Sequence, residues 1–503
     1  MPTVSLVDSA APLAGDAVVL ATVSTDSGVA PAAGSRQLER ALGKEFAQAL
    51  PRALAAVGAS GTADEVVKIP TLGLSPAPLI VATGLGKGGN GSPGALDPES
   101  VRRAVGAALR ALGSARRVAI LIADRDDPAL TEAICDGALL GVYRFTAYKP
   151  QARPSSVRRI DIAVNDPTSS VLKAALRRSR IVTEAVNNVR DLVNTPPNAL
   201  TPTAFADYAA DRGEAAGLAV EVLDERALTR GGFGGILAVG AGAASPPRLV
   251  RLSYRPGRAG AGPLVALVGK GVTFDTGGLN LKTAMMAQMK SDMAGAAAVV
   301  EAVIAAARLR LPLAVTATVP MAENALSATS YHPSDILTMR NGRRVEIDNT
   351  DAEGRLILAD AISRAVEDEP GYLIDVATLT GAQMVALGNH TSAVMGSEKF
   401  RDQVVAAGSA AGESLWPMPL PVELADVLDS PVADLVNAPK DRWGSMLVAG
   451  LFLRDFVPAG LDWAHLDIAG PAFASAASGY TPRGGTGAAV RTILATLTAI
   501  AQR

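Results

Sequence analysis

The chain has 503 residues, 49% of them apolar, with 47 basic and 49 acidic side chains. That length exceeds one ordinary core and points to two or three domains. The formal net charge of -2 gives no reason to expect nucleic acid or an anionic membrane as a partner. The single cysteine, Cys135, excludes an internal disulfide and fits a reducing, cytoplasmic setting. No basic segment leads into an apolar one at the start, and no uninterrupted apolar run reaches about 18 residues, so neither a secretory signal nor a transmembrane helix is expected.

In chain order, the first 160 residues alternate strand-like and helix-like runs. Residues 17–23 read as a strand, 38–56 have helical spacing, and PLIVATGLGKGG carries a strand into a glycine turn. Residues 99–112 are helical, and RVAILIAD and RRIDIAVND are apolar strands. This alternation predicts an α/β domain. Residues 173–193 read as one helix that stops before NTPPNALTP, because proline cannot continue it. The predicted division is an N-terminal α/β domain over 1–165, a connecting helix over 166–195 and a larger α/β domain over 196–503. In the latter, strands are expected at 219–223, 263–268, 313–319, 344–347, 372–376 and 463–466, with helices between most of them. Such buried runs predict a mixed sheet covered on both faces.

Three histidines and one thiol are too few for a His-rich or thiolate metal site, so any metal centre must be built mainly from carboxylates. Three segments carry candidates. In LVGKGVTFDTGGLNLK an apolar strand ends at Gly269-Lys270-Gly271, followed by Asp275 and Lys282 in a glycine-rich loop. Sites form at the carboxyl ends of strands in such sheets. A phosphate loop fails in detail, because Leu264 and Gly271 stand where that pattern needs glycine and a hydroxyl residue. In QMKSDMAGAAAVVEAV, Asp292 precedes an alanine-rich helix and can be read as its N-cap. In VEIDNTDAEGRLILADAI, Asp351, Glu353 and Arg355 alternate; in extended chain they would share one side, as carboxylates around a cation do, or they line a solvated turn. Four carboxylates would balance two divalent ions.

VGKGVTFDTGG and NTDAEGRL resemble the two signature segments of the leucyl aminopeptidase (cytosol aminopeptidase) family, and RDLVNTPPN, MKSDM, DVATLTGA and WAHLDIAG extend the resemblance over roughly 180–503. The resemblance implies a metal-dependent aminopeptidase that releases N-terminal leucine or other apolar residues from peptides. It implies two divalent ions, manganese or zinc, held by Lys270, Asp275, Asp292, Asp351 and Glu353, with Asp275 and Glu353 bridging. Lys282 and Arg355 would be catalytic, with bicarbonate held at Arg355. Met289, Thr378, Leu379, Gly381, Ala469 and Ala472 would hold the substrate, and the assembly would be a homohexamer. One departure stands out. The family places proline after the lysine equivalent to Lys282, whereas here Thr283 follows and the stretch to Asp292 is one residue short. A shorter loop could move Lys282 or narrow the entrance. A binding protein on the same scaffold and a dipeptidase are the rival readings. The first would lack turnover; the second would favour dipeptides over longer peptides.

Overall fold

The computed structural model describes residues 1–26, 28–87, 96–122, 126–151, 154–257 and 262–502. The glycine turn expected at 88–89 and the last two residues of RVAILIAD, 123–124, lie outside these. The chain forms two α/β units, Met1–Asn187 with Ser475–Arg483, and Asn188–Ala474 with Gly484–Arg503. The division falls inside one long helix, Ser170–Asn194.

The first unit is built on a sheet ordered Thr3–Asp8, Arg159–Val164, Arg117–Leu121, Ala17–Thr25, Leu79–Lys87, Val66–Pro70. All neighbours in it are parallel except the last pair. Alternate residues of one strand serve two cores: Val19 and Val81 belong to one, Val18, Leu20 and Ile80 to the other. That is the pattern of a sheet covered on both faces. The helical run expected over 38–56 is two helices, Ser35–Leu42 and Lys44–Ala56, divided at Gly43, whose φ of 88° no helix accommodates. Ser475–Arg483 belongs to this unit through Tyr480, whose hydroxyl donates to Glu99 Oε1 at 2.9 Å.

The second unit carries a sheet ordered Ser414–Pro417, Thr391–Gly396, Asp462–Asp467, Tyr372–Ala377, Gly262–Gly269, Leu313–Asn324, Arg248–Tyr254, Ala219–Leu223. Its four central strands, Asp462–Asp467 to Leu313–Asn324, run parallel, and antiparallel strands flank them. All six strands expected here exist, although Arg344–Glu346 lies in a separate three-stranded sheet. Strand alternation puts Ala266 and Val268 in one core with Leu356, Ile357 and Ala361 of the helix Glu353–Val366. Gly269 turns to the other face, where the buried helix Ala294–Arg308 approaches closely; a Cβ on Gly269 would lie 2.6 Å from the Gly295 carbonyl oxygen. Contact that close between strand and helix backbone is open to glycine alone.

Candidate active site

The candidate residues gather at the carboxyl ends of the central parallel strands, where α/β sheets leave a crevice. Lys270 follows the strand Gly262–Gly269, and its backbone is fixed on both sides: its N–H donates to Val376 O at 3.0 Å and its carbonyl accepts from Ala296 N at 2.9 Å. The side chain is buried. Its Nζ lies 2.8 and 2.7 Å from the two oxygens of Asp292, 2.9 Å from Glu353 Oε1 and 3.1 Å from Thr378 O. Gly354 makes room for it, since a Cβ there would lie 2.5 Å from Lys270 Cε.

Asp275 ends the short strand Gly271–Asp275. Its Oδ1 accepts from Gly277 N and Asn324 Nδ2, both at 2.8 Å, and its Oδ2 lies 2.7 Å from Lys282 Nζ. Lys282 also lies 2.5 Å from Asp351 Oδ1. The shortened loop therefore still delivers Lys282 to the carboxylates. Met285 takes up a left-handed conformation at φ 59° ahead of the turn Met286–Ser291.

Two local expectations are corrected. Asp292 is not the N-cap of Ala294–Arg308. Met293 holds that position, and the Asp292 carboxylate instead binds Lys270 and the Thr378 hydroxyl, the latter at 2.8 Å. Asp351, Glu353 and Arg355 do not share one side of an extended segment. Glu353 and Arg355 lie in the first turn of Glu353–Val366, and Asp351 stands just before it. Burial of that helix start, rather than strand alternation, carries Glu353 into the cluster.

Asp275, Asp351 and Glu353 each offer an oxygen within 4.8 Å of the others. Glu353 Oε2 is buried and accepts no hydrogen bond; Asp292 Oδ2 and Asp351 Oδ1 face a lysine but also lack hydrogen-bond geometry. Unsatisfied buried oxygens call for an explanation such as an ion. The electrostatics agree. Four carboxylates face two lysines, so the cluster is short of positive charge. Burial, then the charge of Asp275, pushes Glu353 up to about 8. Burial pushes Asp292 up to about 6 and raises Asp351 as well. Burial works to lower the Lys270 and Lys282 ammonium groups, but the carboxylates around each outweigh it and hold both above the ordinary lysine value. An oxygen-rich set with one nitrogen fits a hard or borderline divalent cation.

Arg355 is buried, and burial lowers it to about 10. Its Nη1 donates to Asn437 O at 2.7 Å, its guanidinium lies 5.9 Å from the Phe452 ring centroid, and its Nε is buried without a partner. Thr378, Leu379 and Gly381 follow the strand Tyr372–Ala377, and Ala469 follows Asp462–Asp467, beside the same crevice. Met289 lies in the turn Met286–Ser291. Ala472, buried, follows Ala469 in the same segment. His465 is a buried strand residue whose Nδ1 lies 2.5 Å from Asp375 Oδ1, a structural pairing away from the carboxylate cluster.

Three residues escaped sequence reasoning. Asp467 Oδ1 accepts from Leu379 N at 3.1 Å and Ala469 N at 3.2 Å, and its Oδ2 accepts from the Thr380 hydroxyl at 2.8 Å. It thereby ties together the two segments expected to hold substrate and leaves Leu379 its carbonyl. Asn324 fixes Asp275 and Thr350 O. Asn437 holds the segment before Glu353. The one available signal was position: Asp467 and Asn324 each end a central strand.

The family model described as "Cytosol aminopeptidase family, catalytic domain" matches residues 187–494, and the one for the N-terminal domain of that family matches 22–152. The likeness thus extends into the first domain, where the motifs quoted above gave only size and α/β character. A "probable cytosol aminopeptidase" of Rhodococcus jostii is 52% identical over 457 residues, 89% of this chain and 88% of that protein. One of Rhodococcus opacus is 49% identical over 97% of this chain and 95% of its own. Among solved structures, the bottromycin maturation enzyme BotP in complex with Mn is 36% identical with a TM-score of 0.83, covering 97% of this chain and 100% of that one. A mutant of tomato leucine aminopeptidase is 29% identical with a TM-score of 0.87, covering 99% and 97%.

Proposed function

Because this chain belongs to the cytosol aminopeptidase family, we propose that it removes leucine and other apolar residues from the N-termini of peptides in the cytoplasm, using two divalent cations. That it is a metallo-aminopeptidase follows from the family; the preference, the cation count and the residue roles are our reading. The carrying observation is the convergence of Asp275, Asp351 and Glu353 around buried, unsatisfied oxygens.

Lys270, Asp275, Asp292, Asp351 and Glu353 would hold the ions, with Asp275 and Glu353 shared between them. Manganese or zinc suits this donor set. Divalent ions, when bound, supply a nucleophile at neutral pH and polarise the scissile carbonyl. Lys270 is an ammonium among these carboxylates, so it must give up its proton to act as a ligand, which a neighbouring dication favours. Lys282, mostly buried and paired with Asp275 and Asp351, would turn to the developing oxyanion. Arg355 is held by Asn437 O and keeps a buried Nε without a partner, which suits a small carboxylate-like anion such as bicarbonate acting as general base. The backbone around Leu379 would help hold the peptide, while Met289, Thr378, Gly381, Ala469 and Ala472 would shape the pocket for an apolar side chain. We place the enzyme in a homohexamer, in keeping with the family resemblance.

The test is hydrolysis of leucine anilide before and after chelation, with manganese or zinc restored. Loss on chelation and recovery with metal is expected. Folded protein inactive with every divalent ion would overturn the reading.

A further inference from the structure

We propose that Asn437 is a positioning residue of this centre, fixing the segment that presents Asp351 and Glu353 and the guanidinium of Arg355. The inference rests on the metal-dependent reading above. Asn437 follows the two-residue strand Leu435–Val436, which pairs in parallel with Arg344–Glu346, and its own N–H donates to Glu346 O at 2.9 Å. Its side chain is fully buried. Oδ1 accepts from Asp348 N at 2.8 Å and Asn349 N at 3.1 Å; Nδ2 donates to Asn349 O at 2.7 Å and reaches Ala352 O at 3.5 Å. Its carbonyl accepts from Arg355 Nη1 at 2.7 Å. All four polar groups are thus engaged, and on both sides of Asp351.

The segment 348–352 forms no helix or strand, so it has no ladder of its own to fix Asp351. Its other hydrogen-bonded holds fall on Thr350, from Asn280, Tyr331, Asn324 and Gly277, one residue short of Asp351. The chemistry required of position 437 is specific. A side chain must accept two backbone N–H groups and donate to a carbonyl within one short planar group, which only asparagine offers at this reach. Aspartate keeps the acceptors and loses the donor. Alanine loses both, leaving Asp348 N and Asn349 N without that acceptor and Asn349 O with the Ala352 N–H alone. The backbone carbonyl toward Arg355 would survive either change through the strand pairing, so the side chain's effect falls on Asp351.

The test is a titration of the full-length protein with Mn²⁺, free ion being read by electron paramagnetic resonance, beside a thermal melt and kcat on leucine anilide at saturating Mn²⁺. Asn437→Ala should bind the weaker Mn²⁺ at least tenfold less tightly, about 1.4 kcal/mol, and lose kcat with KM little changed. Asn437→Asp should recover part of that affinity. A purely structural residue would lower the melting point and leave the affinity of the folded protein alone. Wild-type Mn²⁺ affinity and kcat in folded Asn437→Ala would overturn the proposal. If that variant does not fold, wild-type affinity in Asn437→Asp would overturn it equally. Those outcomes leave the metal-dependent reading standing, whereas failure of the wild-type protein to bind either Mn²⁺ or Zn²⁺ would remove both.

Discussion

Adding one methyl group at Gly354 isolates the demand that Lys270 makes on its surroundings. Gly354 lies in the first turn of Glu353–Val366 and has no positive φ, so the backbone itself accepts alanine. The new Cβ would lie 2.5 Å from Lys270 Cε, 2.8 Å from Nζ and 2.9 Å from Cδ. Ordinary carbon contacts are about 3.5–4.0 Å, so the end of Lys270 must retreat by roughly 1 Å. Its hydrogen bonds to Asp292 Oδ1 at 2.8 Å and Thr378 O at 3.1 Å and its ion pair with Glu353 at 2.9 Å would lengthen with that retreat, the hydrogen bonds past the range of about 2.7–3.2 Å in which they form. Each bond to a buried charged group is worth about 1.5–3 kcal/mol. Exchanging helical glycine for alanine returns about 0.5–1 kcal/mol. With some bonds partly kept, Gly354→Ala should destabilise the protein by about 2–4 kcal/mol, lower its metal content and reduce turnover with leucine anilide. Denaturant unfolding, elemental analysis and kinetics would measure the three. In a Lys270→Ala background the same change should be neutral or mildly stabilising, because the clash has gone. Full metal content and turnover in Gly354→Ala would refute the claim that Lys270 is held without slack.

Asp275→Ala and Glu353→Ala should each abolish turnover and lower bound metal, measured by elemental analysis of the dialysed proteins; near-native turnover in either would sink the shared-ligand assignment. Lys282→Ala should lower kcat with metal content intact, since Lys282 pairs with ligands without being one. Asp467→Ala should raise KM for leucine anilide by tenfold or more, whereas Asp467→Asn, which keeps the Oδ1 acceptor, should stay near wild type; equal KM values would dismiss the tie between Leu379 and Ala469. Burial pushes the fully buried Asp360 carboxyl up to about 7, only partly offset by the N–H groups of Ile236 and Arg340 that it accepts. A raised carboxyl stabilises the fold while protonated and loses that stability as pH rises from its unfolded value toward 7. Wild type should therefore lose urea resistance relative to Asp360→Asn between pH 5 and 8, and a pH-independent difference would argue against the shift.

The catalytic half was readable because its strands are short apolar runs that end abruptly in glycine or charge, as at Gly269-Lys270 and Leu466-Asp467. Periodicity could not tell whether Asp292 caps a helix or feeds a cluster; Lys270, 22 residues away, decides it. The extended reading of Asp351 to Arg355 failed because alternation in sequence says nothing of where a buried helix begins. Asn437 was invisible because its partners at 348–355 lie more than 80 residues earlier and its neighbours carry no chemical motif. The break at Gly43 was missed because apolar spacing continues through it in phase.

The return of Ser475–Arg483 to the first unit bears on how such a protein can be cut or recombined. A single break in the long helix Ser170–Asn194 would not yield two complete bodies. The amino-terminal piece would lack Tyr480, whose Cα and Cβ crowd Gly106 so closely that a methyl group there has no room. The carboxy-terminal piece would carry nine residues with nothing to fold upon. Exchange of one unit between relatives therefore requires three junctions, one in the long helix and one at each end of 475–483.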